Sequence, residues 1–487
     1  MRLGYVLYVV GALMVSVGLT MLFPLGFSLY YQDAGREPLA VSLLITVGLG
    51  AILFVLFRRK KAEVMNHREG MAIVAIGWLL AGLFGGLPFI FSHTFDGSFL
   101  SMCTNAFFES ISGFTTTGAS VMTDIESVPR GILMWRSLTH WLGGMGIIVL
   151  SLAILPFLGV GGMQLYKAEV PGPTPDKLKP RIKDTAMVLW QVYLLLTVIQ
   201  TVLLLFGGMD LFDSLCHTFG TMATGGFSTR NASVAAYDSA YIDWVITIFM
   251  FIAGCNFSLH YLALTGRGRD MLRDPEFRFF GMAMILFSLI VTFKVWGSHY
   301  ESFWDALRYA SFQVVSICTT TGFATADYEL WPVLTQAILV FLMFLGGSAG
   351  STGGGIKCLR IQLLMKQAYQ ELFRLIHPRA VKQIKLGGKG VPQEVMSGVW
   401  AFFVIYLGLF ILSSFILAAL DIDLVTSFAA VAACIGNIGP GVGEVGPTDN
   451  YFALPLLAKW VLMLCMLLGR LEIYTVIILF VPEFWRK

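Results

Sequence analysis

The sequence contains few charged residues for its length. Only 13% of its 487 residues are Asp, Glu, Lys or Arg, and the formal net charge is +3. The basic residues are scattered among short loops, so the sequence shows no basic face of the kind that binds nucleic acid. We therefore do not expect a nucleic-acid partner.

Metal-binding and catalytic motifs are scarce as well. The seven cysteines lie in or beside apolar segments, form no CxxC pair and have no histidine spacing typical of a metal site. The glycine run at residues 346–355 lacks the Gly-Lys-Ser/Thr ending of a phosphate-binding loop and follows an apolar helix instead of a strand. The sequence therefore predicts no enzyme activity and no organic cofactor.

Apolar residues, by contrast, dominate the chain. They make up 56% of it, and the mean hydropathy is +0.76, far above that of a soluble domain. About 20 apolar residues cross the hydrocarbon layer of a bilayer, and ten segments of suitable length are present. The sequence predicts an all-α polytopic membrane protein, in contact with lipid.

A short polar signature ending in glycine recurs four times inside these apolar surroundings. The copies, called runs 1 to 4 below, are residues 115–118, 223–226, 319–322 and 436–439. Their last glycines are separated by 108, 96 and 117 residues, a period long enough for two membrane helices and a re-entrant loop. Four copies at one period indicate a ring of four helix–pore loop–helix repeats.

The loops between apolar segments set the predicted boundaries of these repeats. Residues 1–70 are expected to hold two additional transmembrane helices and a cytoplasmic loop. Repeats 1 to 4 are then assigned to residues 71–183, 184–276, 277–393 and 394–487.

A short pore helix is predicted immediately before each run. The four segments are residues 107–114, 211–222, 306–318 and 424–435. Asp210, Asp305 and Asp423 lie where they could cap three of these helices, because an acidic side chain is favourable at a helix N-terminus.

The four runs predict a selectivity filter made of backbone carbonyl groups. A ring of carbonyls can replace the hydration shell of an ion, and glycine permits the backbone angles that this requires. No carboxylate for a hard divalent ion lies within the runs, so a monovalent ion, K⁺ by its size, is expected. The predicted filter residues are Thr116, Thr117, Gly118, Thr224, Gly225, Gly226, Thr320, Thr321, Gly322, Asn437, Ile438 and Gly439. The alternative is that these small residues only allow close helix packing.

A second glycine-rich stretch interrupts the last apolar segment of repeat 3. Such a run disfavours a helix, and irregular backbone at membrane depth needs protein cover or water. We predict a gating loop below the filter that includes Gly346, Gly347, Ser348, Gly350, Gly353, Gly354 and Gly355. Weaker interruptions are predicted at residues 143–146, 254–256 and 469–470 of the other repeats.

Four further polar residues stand out in apolar helices. Arg470 is predicted to contact the gating loop, since an intramembrane arginine faces a cavity or a partner; the alternative is a pair with Glu472. Arg136 is expected to extend its side chain to the membrane surface. His140 and His217 are interpreted as packing residues.

The chain resembles the TrkH potassium-uptake proteins of the Trk, Ktr and HKT superfamily. The resemblance lies in the four runs, the glycine-rich stretch at residues 346–357 and the four-repeat plan, and it spans the whole chain. It implies K⁺ translocation across a bacterial inner membrane, with Gly118, Gly226, Gly322 and Gly439 lining the filter. It also implies a homodimer with one pore per protomer and a cytoplasmic, TrkA-like nucleotide-binding ring. The alternative function is a secondary transporter that couples K⁺ to H⁺ or Na⁺, which needs an ionisable relay near the midplane.

Lys and Arg residues are concentrated in alternate loops. Clusters lie within residues 58–68, 167–183, 267–278 and 366–389, whereas the intervening loops hold single arginines. Because basic loops remain cytoplasmic, both termini are predicted to be cytoplasmic and all four runs to enter from outside.

This orientation predicts the accessibility of introduced cysteines. A cysteine at Lys177 or Arg269 should not react with an impermeant thiol reagent added outside intact cells, whereas one at Tyr237 should react. Labelling of both basic loops from outside would contradict the predicted topology.

Overall fold

A computed structural model describes residues 2–58, 66–153, 182–379 and 383–486. Helices dominate these ranges, and a short antiparallel hairpin pairs Lys385–Leu386 with Lys389–Gly390. The all-α polytopic fold is therefore confirmed. The predicted helix end at residues 154–158 and most of the basic loop up to Lys183 lie outside the described residues.

The helices follow the order expected from the apolar segments. Before the repeats come Leu3–Thr20, Leu22–Tyr31 and Arg36–Leu56. The helices within residues 66–153 are His67–Gly85, Leu87–Phe91, Phe99–Phe114 and Arg130–Ala153. Those within residues 182–274 are Ile182–Phe206, Leu211–Met222, the 3₁₀ helix Ser233–Tyr237, Ala240–Gly254, Phe257–Leu264 and Gly268–Arg273.

The second half of the chain has the same order of elements. The helices within residues 275–376 are Pro275–Val295, which crosses the predicted boundary between repeats 2 and 3, Phe303–Cys318, the 3₁₀ helix Tyr328–Leu330, Val333–Leu342 and Cys358–Ile376. Repeat 4 contains Gln393–Ala418, Leu424–Gly436, Leu456–Arg470, Tyr474–Ile477, the 3₁₀ helix Ile478–Phe480 and Pro482–Trp485.

Six of the described helices are long and apolar enough to cross a membrane, or eight spans if each of two bent helix pairs counts as one. The remaining two of the ten predicted spans are Arg130–Ala153, which carries Arg136 and His140, and the interrupted segment of repeat 3. The first span has polar residues and the second has a break, and both lie against the runs, as described below.

The four helices that end at the runs are called pore helices 1 to 4 below: Phe99–Phe114, Leu211–Met222, Phe303–Cys318 and Leu424–Gly436. Asp210 and Asp423 cap pore helices 2 and 4 as predicted, through hydrogen bonds from backbone N–H groups. The prediction for Asp305 is wrong, because Ser302 caps pore helix 3 and Asp305 lies in its first turn. Ser98 caps pore helix 1, which begins at Phe99 instead of residue 107.

The predicted helix interruptions are present in three repeats and absent from one. Repeat 2 bends by 105° between Gly254 and Phe257, and repeat 4 bends by 112° after Arg470. In repeat 3 the helix stops at Leu342 and restarts at Cys358. In repeat 1, however, Arg130–Ala153 continues through residues 143–146, so that prediction is wrong.

The glycines of this unbroken helix allow close contacts. A Cβ atom at Gly143 would collide with the backbone oxygen of Phe114, and one at Gly144 would lie 2.8 Å from the Cα atom of Ala223. Both positions therefore require glycine because pore helix 1 and run 2 pass against the helix, and not because the helix ends there.

Candidate ion filter and intramembrane loop

All four runs begin with the same backbone turn. The residue two before each last glycine has a positive φ: 51° at Thr116, 53° at Thr224, 62° at Thr320 and 55° at Asn437. This residue and the next donate backbone hydrogen bonds to the last turn of the pore helix, as in Thr116 N to Gly113 O (3.0 Å) and Thr117 N to Ser112 O (2.9 Å), and the other runs repeat both bonds. The pattern is a Schellman motif, which ends each pore helix in a left-handed residue.

The last glycines of the runs form a closed ring. Their φ values are 82°, 79°, 83° and 95° in runs 1 to 4. A Cβ atom at Gly118 would meet the carbonyl oxygen of Gly225, one at Gly226 that of Thr321, and one at Gly322 that of Ile438, all well inside the limit for a real Cβ contact. A Cβ at Gly439 would lie 2.8 Å from the carbonyl oxygen of Thr117, which closes the ring.

The side chains of the runs differ although their backbones agree. Thr115 and Thr117 share a hydroxyl hydrogen bond of 2.8 Å, and Thr319 and Thr321 do the same in run 3. In run 4, Asn437 Nδ2 donates to Thr117 Oγ1 of run 1 at 3.0 Å. Fourfold symmetry therefore holds for the backbone and not for the side chains.

In the first three repeats, one polar side chain of the pore helix forms hydrogen bonds with the extended segment that follows the run. The sequence analysis did not identify this position. It lies nine residues before the last glycine and is occupied by Glu109, His217 and Gln313. Glu109 accepts hydrogen bonds from Ser120 Oγ and Val121 N (2.9 Å each). His217 Nε2 lies 3.0 Å from Ser228 Oγ.

Repeat 3 follows the same plan, while repeat 4 uses a different residue. The Gln313 amide oxygen accepts from Thr325 N at 2.8 Å once the amide is oriented to suit its neighbours. Run 4 has Ala430 at this position, and the Tyr328 hydroxyl of repeat 3 instead donates to Gly441 O at 2.7 Å. Aligning the sequence on the four glycines reveals the polar residue at this position in three of the repeats.

The prediction that Arg136 extends its side chain to the membrane surface is wrong. It is buried, and its Nε atom lies 2.6 Å from Glu109 Oε1. Its Cζ atom lies 3.6 Å from the centre of the Phe227 ring, on which His140 also stacks with a centroid distance of 4.0 Å. This partner leaves no local signal near Arg136, because Glu109 is on a different helix. His140 and His217 pack within the protein, as interpreted from the sequence.

Polar contacts also join other neighbouring repeats near the ring. Asp243 of repeat 2 pairs with Arg308 of repeat 3 at 3.6 Å. Lys459 of repeat 4 donates from Nζ to Asn105 Oδ1 of repeat 1 at 2.8 Å. Each neighbouring pair of repeats therefore has at least one polar contact that crosses between them.

The glycine-rich segment between Leu342 and Cys358, called the intramembrane loop below, lies against the runs. Gly354 N donates to Thr320 Oγ1 at 2.6 Å, and Thr352 Oγ1 donates to Met222 O at 3.0 Å. A Cβ atom at Gly354 would lie 2.8 Å from the Cβ atom of Asn437. The loop thus contacts the ends of pore helices or runs in repeats 2, 3 and 4.

Two neighbouring elements accept hydrogen bonds from the loop backbone. The Gly254 carbonyl, freed where the helix of repeat 2 bends, accepts from Ser348 N at 2.9 Å. Glu276 accepts from Ala349 N at 2.8 Å and from Leu359 N at 3.1 Å, so one carboxylate holds both sides of the loop. The non-helical backbone of the loop therefore has protein partners, as irregular backbone within a membrane requires.

Arg470 contacts the loop, as the sequence predicted. Its Nη1 atom donates to Thr352 O at 2.6 Å, and Nη2 lies 3.4 Å from Gly143 O of repeat 1. The alternative, a pair with Glu472, is not present, because Glu472 pairs with Arg360 at 2.6 Å. Both residues of this second pair are buried, and Arg360 is in the helix that follows the loop.

Comparison with known proteins agrees with this architecture. The TrkH family profile, described as a cation transport protein, matches residues 41–487. The chain belongs to the TrkH family. It is therefore a transport protein and not an enzyme.

Full-length relatives share this family. The Trk system potassium uptake protein TrkH of Salmonella typhimurium is 45% identical over 98% of both chains, and that of Halomonas elongata is 44% identical over the full length of both. The crystal structure of the potassium transporter TrkH from Vibrio parahaemolyticus matches the whole chain with a TM-score of 0.91 at 41% identity.

The left-handed turn in the runs leads to a stability prediction. Thr116 is β-branched, its hydroxyl is buried without a hydrogen-bond partner, and left-handed backbone costs such residues about 1–2 kcal/mol. Thr116→Asn copies the residue of run 4, and asparagine tolerates this conformation. We expect its melting temperature in detergent to equal or exceed that of the parent. Thr116→Val, the β-branched control, keeps the cost of the left-handed backbone and loses only the unpartnered hydroxyl, so any gain it shows measures the hydroxyl alone; a melting temperature of Thr116→Asn below that of the parent would contradict the assignment.

Proposed function

We propose that this chain carries K⁺ across the bacterial inner membrane through a pore at the centre of the ring of runs. The observation that carries the proposal is the ring of four positive-φ glycines, each facing a carbonyl group of the next run. Such a ring can replace the hydration shell of an ion. The naming of full-length TrkH relatives as potassium uptake proteins supports K⁺ as that ion.

The pore helices favour a cation at the same place. All four end at the runs, so the negative ends of four helix dipoles converge on the ring. The two predicted filter residues that precede each glycine form the left-handed turn that the four runs have in common. Side chains at these positions differ between runs, so we assign ion preference mainly to the backbone.

We assign the intramembrane loop and Arg470 to the gate. The loop contacts runs 3 and 4 and the end of pore helix 2, and Arg470 connects it to repeat 1. The arginine therefore stabilises the loop in this position, and its charge repels a cation beneath the ring. Displacing the loop would remove the steric barrier, and replacing Arg470 would remove the electrostatic barrier as well as a contact that holds the loop.

The alternative function is a secondary transporter that couples K⁺ to H⁺ or Na⁺. The observation that favours it is a group of buried ionisable residues around the loop: Glu276, Lys357, Arg360, Arg470 and Glu472. Reversal potentials in liposomes separate the two functions. A channel follows the K⁺ gradient alone, whereas a coupled transporter shifts with an imposed H⁺ or Na⁺ gradient at constant K⁺.

We further propose cytoplasmic termini, a homodimer and a cytoplasmic, TrkA-like nucleotide-binding ring that regulates the gate. The distribution of basic loops supports the orientation, and the name "Trk system" of the relatives supports a multi-component assembly. For the labelling experiment, Ala236 is the better outside position, since it is exposed whereas Tyr237 is partly buried.

The ring geometry predicts the effect of a filter substitution. Gly322→Ser places a Cβ atom against the Ile438 carbonyl and at a φ of 83°. We expect K⁺ uptake to fall and discrimination against Na⁺ to weaken, whereas Rb⁺ and Cs⁺ should still pass. The matched control is Gly398→Ser, where a Cβ meets nothing within 4 Å. Unchanged K⁺/Na⁺ permeability in Gly322→Ser would exclude Gly322 from the filter.

The contacts of Arg470 predict the effect of its removal. Arg470→Ala, or deletion of several loop glycines, should raise K⁺ flux in liposomes that contain the purified subunit alone, with ion preference retained. Arg374→Ala is the control, since Arg374 is an exposed surface residue paired with Glu371. If folded Arg470→Ala protein conducts no faster than the parent, Arg470 does not hold the gate closed.

A further inference from the structure

The ion pair between Glu109 and Arg136 lies behind runs 1 and 2. Glu109 is fully buried in pore helix 1, and Arg136 is 2% exposed in the helix that follows run 1. Transferring two charges from water into a protein interior is costly, and well-packed apolar residues of similar volume often give equal stability. The net stability of the fold is therefore an incomplete explanation for this pair.

On the side of run 1, the pair forms hydrogen bonds with the extended segment that follows the run. Glu109 accepts from Ser120 Oγ and from Val121 N, two and three residues after Gly118. Arg136 Nη2 also donates to Ser120 Oγ at 3.0 Å. Both members of the pair therefore bind the same short segment beside the ring.

On the side of run 2, the same guanidinium holds the equivalent segment. Arg136 Nη1 donates to Ser228 O at 2.9 Å, two residues after Gly226. Its Cζ atom lies 3.6 Å from the centre of the Phe227 ring, and Phe227 directly follows that glycine. One side chain thus contacts the exits of two neighbouring runs.

We propose that Glu109 and Arg136 are positioning residues that fix run 1 against run 2 and thereby set the ion discrimination of the ring. This inference rests on the proposed function. The Gly225 carbonyl lies against Gly118 without room for a Cβ atom, so a shift of run 2 relative to run 1 moves a carbonyl of the ring. The pair is neutral as a whole, so its contribution is geometric and not a net attraction for cations.

Conservative variants separate position from charge. Arg136→Lys keeps the charge, but an ammonium group lacks the planar fork that lets one guanidinium bind Glu109, Ser120 and Ser228 together. Glu109→Gln keeps the side-chain size and leaves a positive charge behind the runs. If only charge mattered, Arg136→Lys would resemble the parent and Glu109→Gln would change cation flux without changing discrimination.

The experiment compares the full-length purified variants in liposomes and in detergent. Rb⁺ and Na⁺ fluxes give the discrimination, and the rise in melting temperature caused by K⁺ compared with Na⁺ gives a second readout that is independent of flux. We expect both variants to lower the Rb⁺/Na⁺ flux ratio about tenfold, which corresponds to about 1.4 kcal/mol. The difference between stabilisation by K⁺ and by Na⁺ should shrink in parallel.

Asp243→Asn is the matched control, because the Asp243–Arg308 pair also joins two repeats, while the other contacts of Arg308 are with Asp305 and Tyr309 of its own helix and not with a segment that follows a run. It should keep the discrimination of the parent. The inference is overturned if Arg136→Lys retains full discrimination, or if Asp243→Asn loses as much. If Glu109→Gln fails to fold, Arg136→Lys decides alone.

Gly322→Ser, measured in the same series, separates this inference from the proposed filter. If Gly322→Ser loses discrimination and the Glu109 and Arg136 variants do not, the positioning role is wrong and the filter remains. If Gly322→Ser and both pair variants keep discrimination, the filter assignment fails and the positioning role fails with it.

Discussion

The architecture depends on one close contact that is made four times. In each case a Cβ atom on the last glycine of one run would lie within 2.8 Å of a backbone carbonyl oxygen of the neighbouring run, closer than real Cβ contacts allow. Such a contact tolerates little movement, because protein interiors are densely packed and a shift of an ångström opens a gap or causes a collision. The pore helices, their N-terminal caps and the contacts between repeats all act to hold these four places in register.

The contacts that hold the ring fall into two layers. The extended segments that follow runs 1 to 3 are hydrogen-bonded to Glu109, His217 and Gln313 of the pore helices. The segment that follows run 4 is hydrogen-bonded to Tyr328 of the neighbouring repeat. The opposite side of the ring contacts the intramembrane loop, whose backbone bonds to Thr320 and to the carbonyl freed by the bend at Gly254. The bend in repeat 2 and the break in repeat 3 are therefore parts of one structure, because one supplies the acceptor that the other needs.

The sequence predicted those features that depend on local chemistry. A glycine at a positive φ, a glycine run that cannot form a helix, and Asp210 or Asp423 before a helix all leave a signal within a few residues. It did not predict features that depend on distant partners. The position of Arg136 depends on Glu109 in another helix, and Gly143 and Gly144 fit the pattern of a helix break although they permit close packing. Serine is too common a residue for Ser98 and Ser302 to stand out as caps in the sequence, whereas an acidic residue such as Asp305 is favourable both at the cap and in the first turn of a helix.

The position nine residues before each last glycine, with its four different occupants Glu109, His217, Gln313 and Ala430, has an evolutionary consequence. In a pore built from four identical chains, one mutation changes four sites at once, and a cost of about 1–2 kcal/mol per site adds up to a large share of the whole stability of a typical domain. In a single chain the same mutation changes one quarter of the ring and leaves three quarters intact. A pore within one polypeptide can therefore accumulate substitutions one junction at a time, and asymmetry around its axis is the expected record of that history.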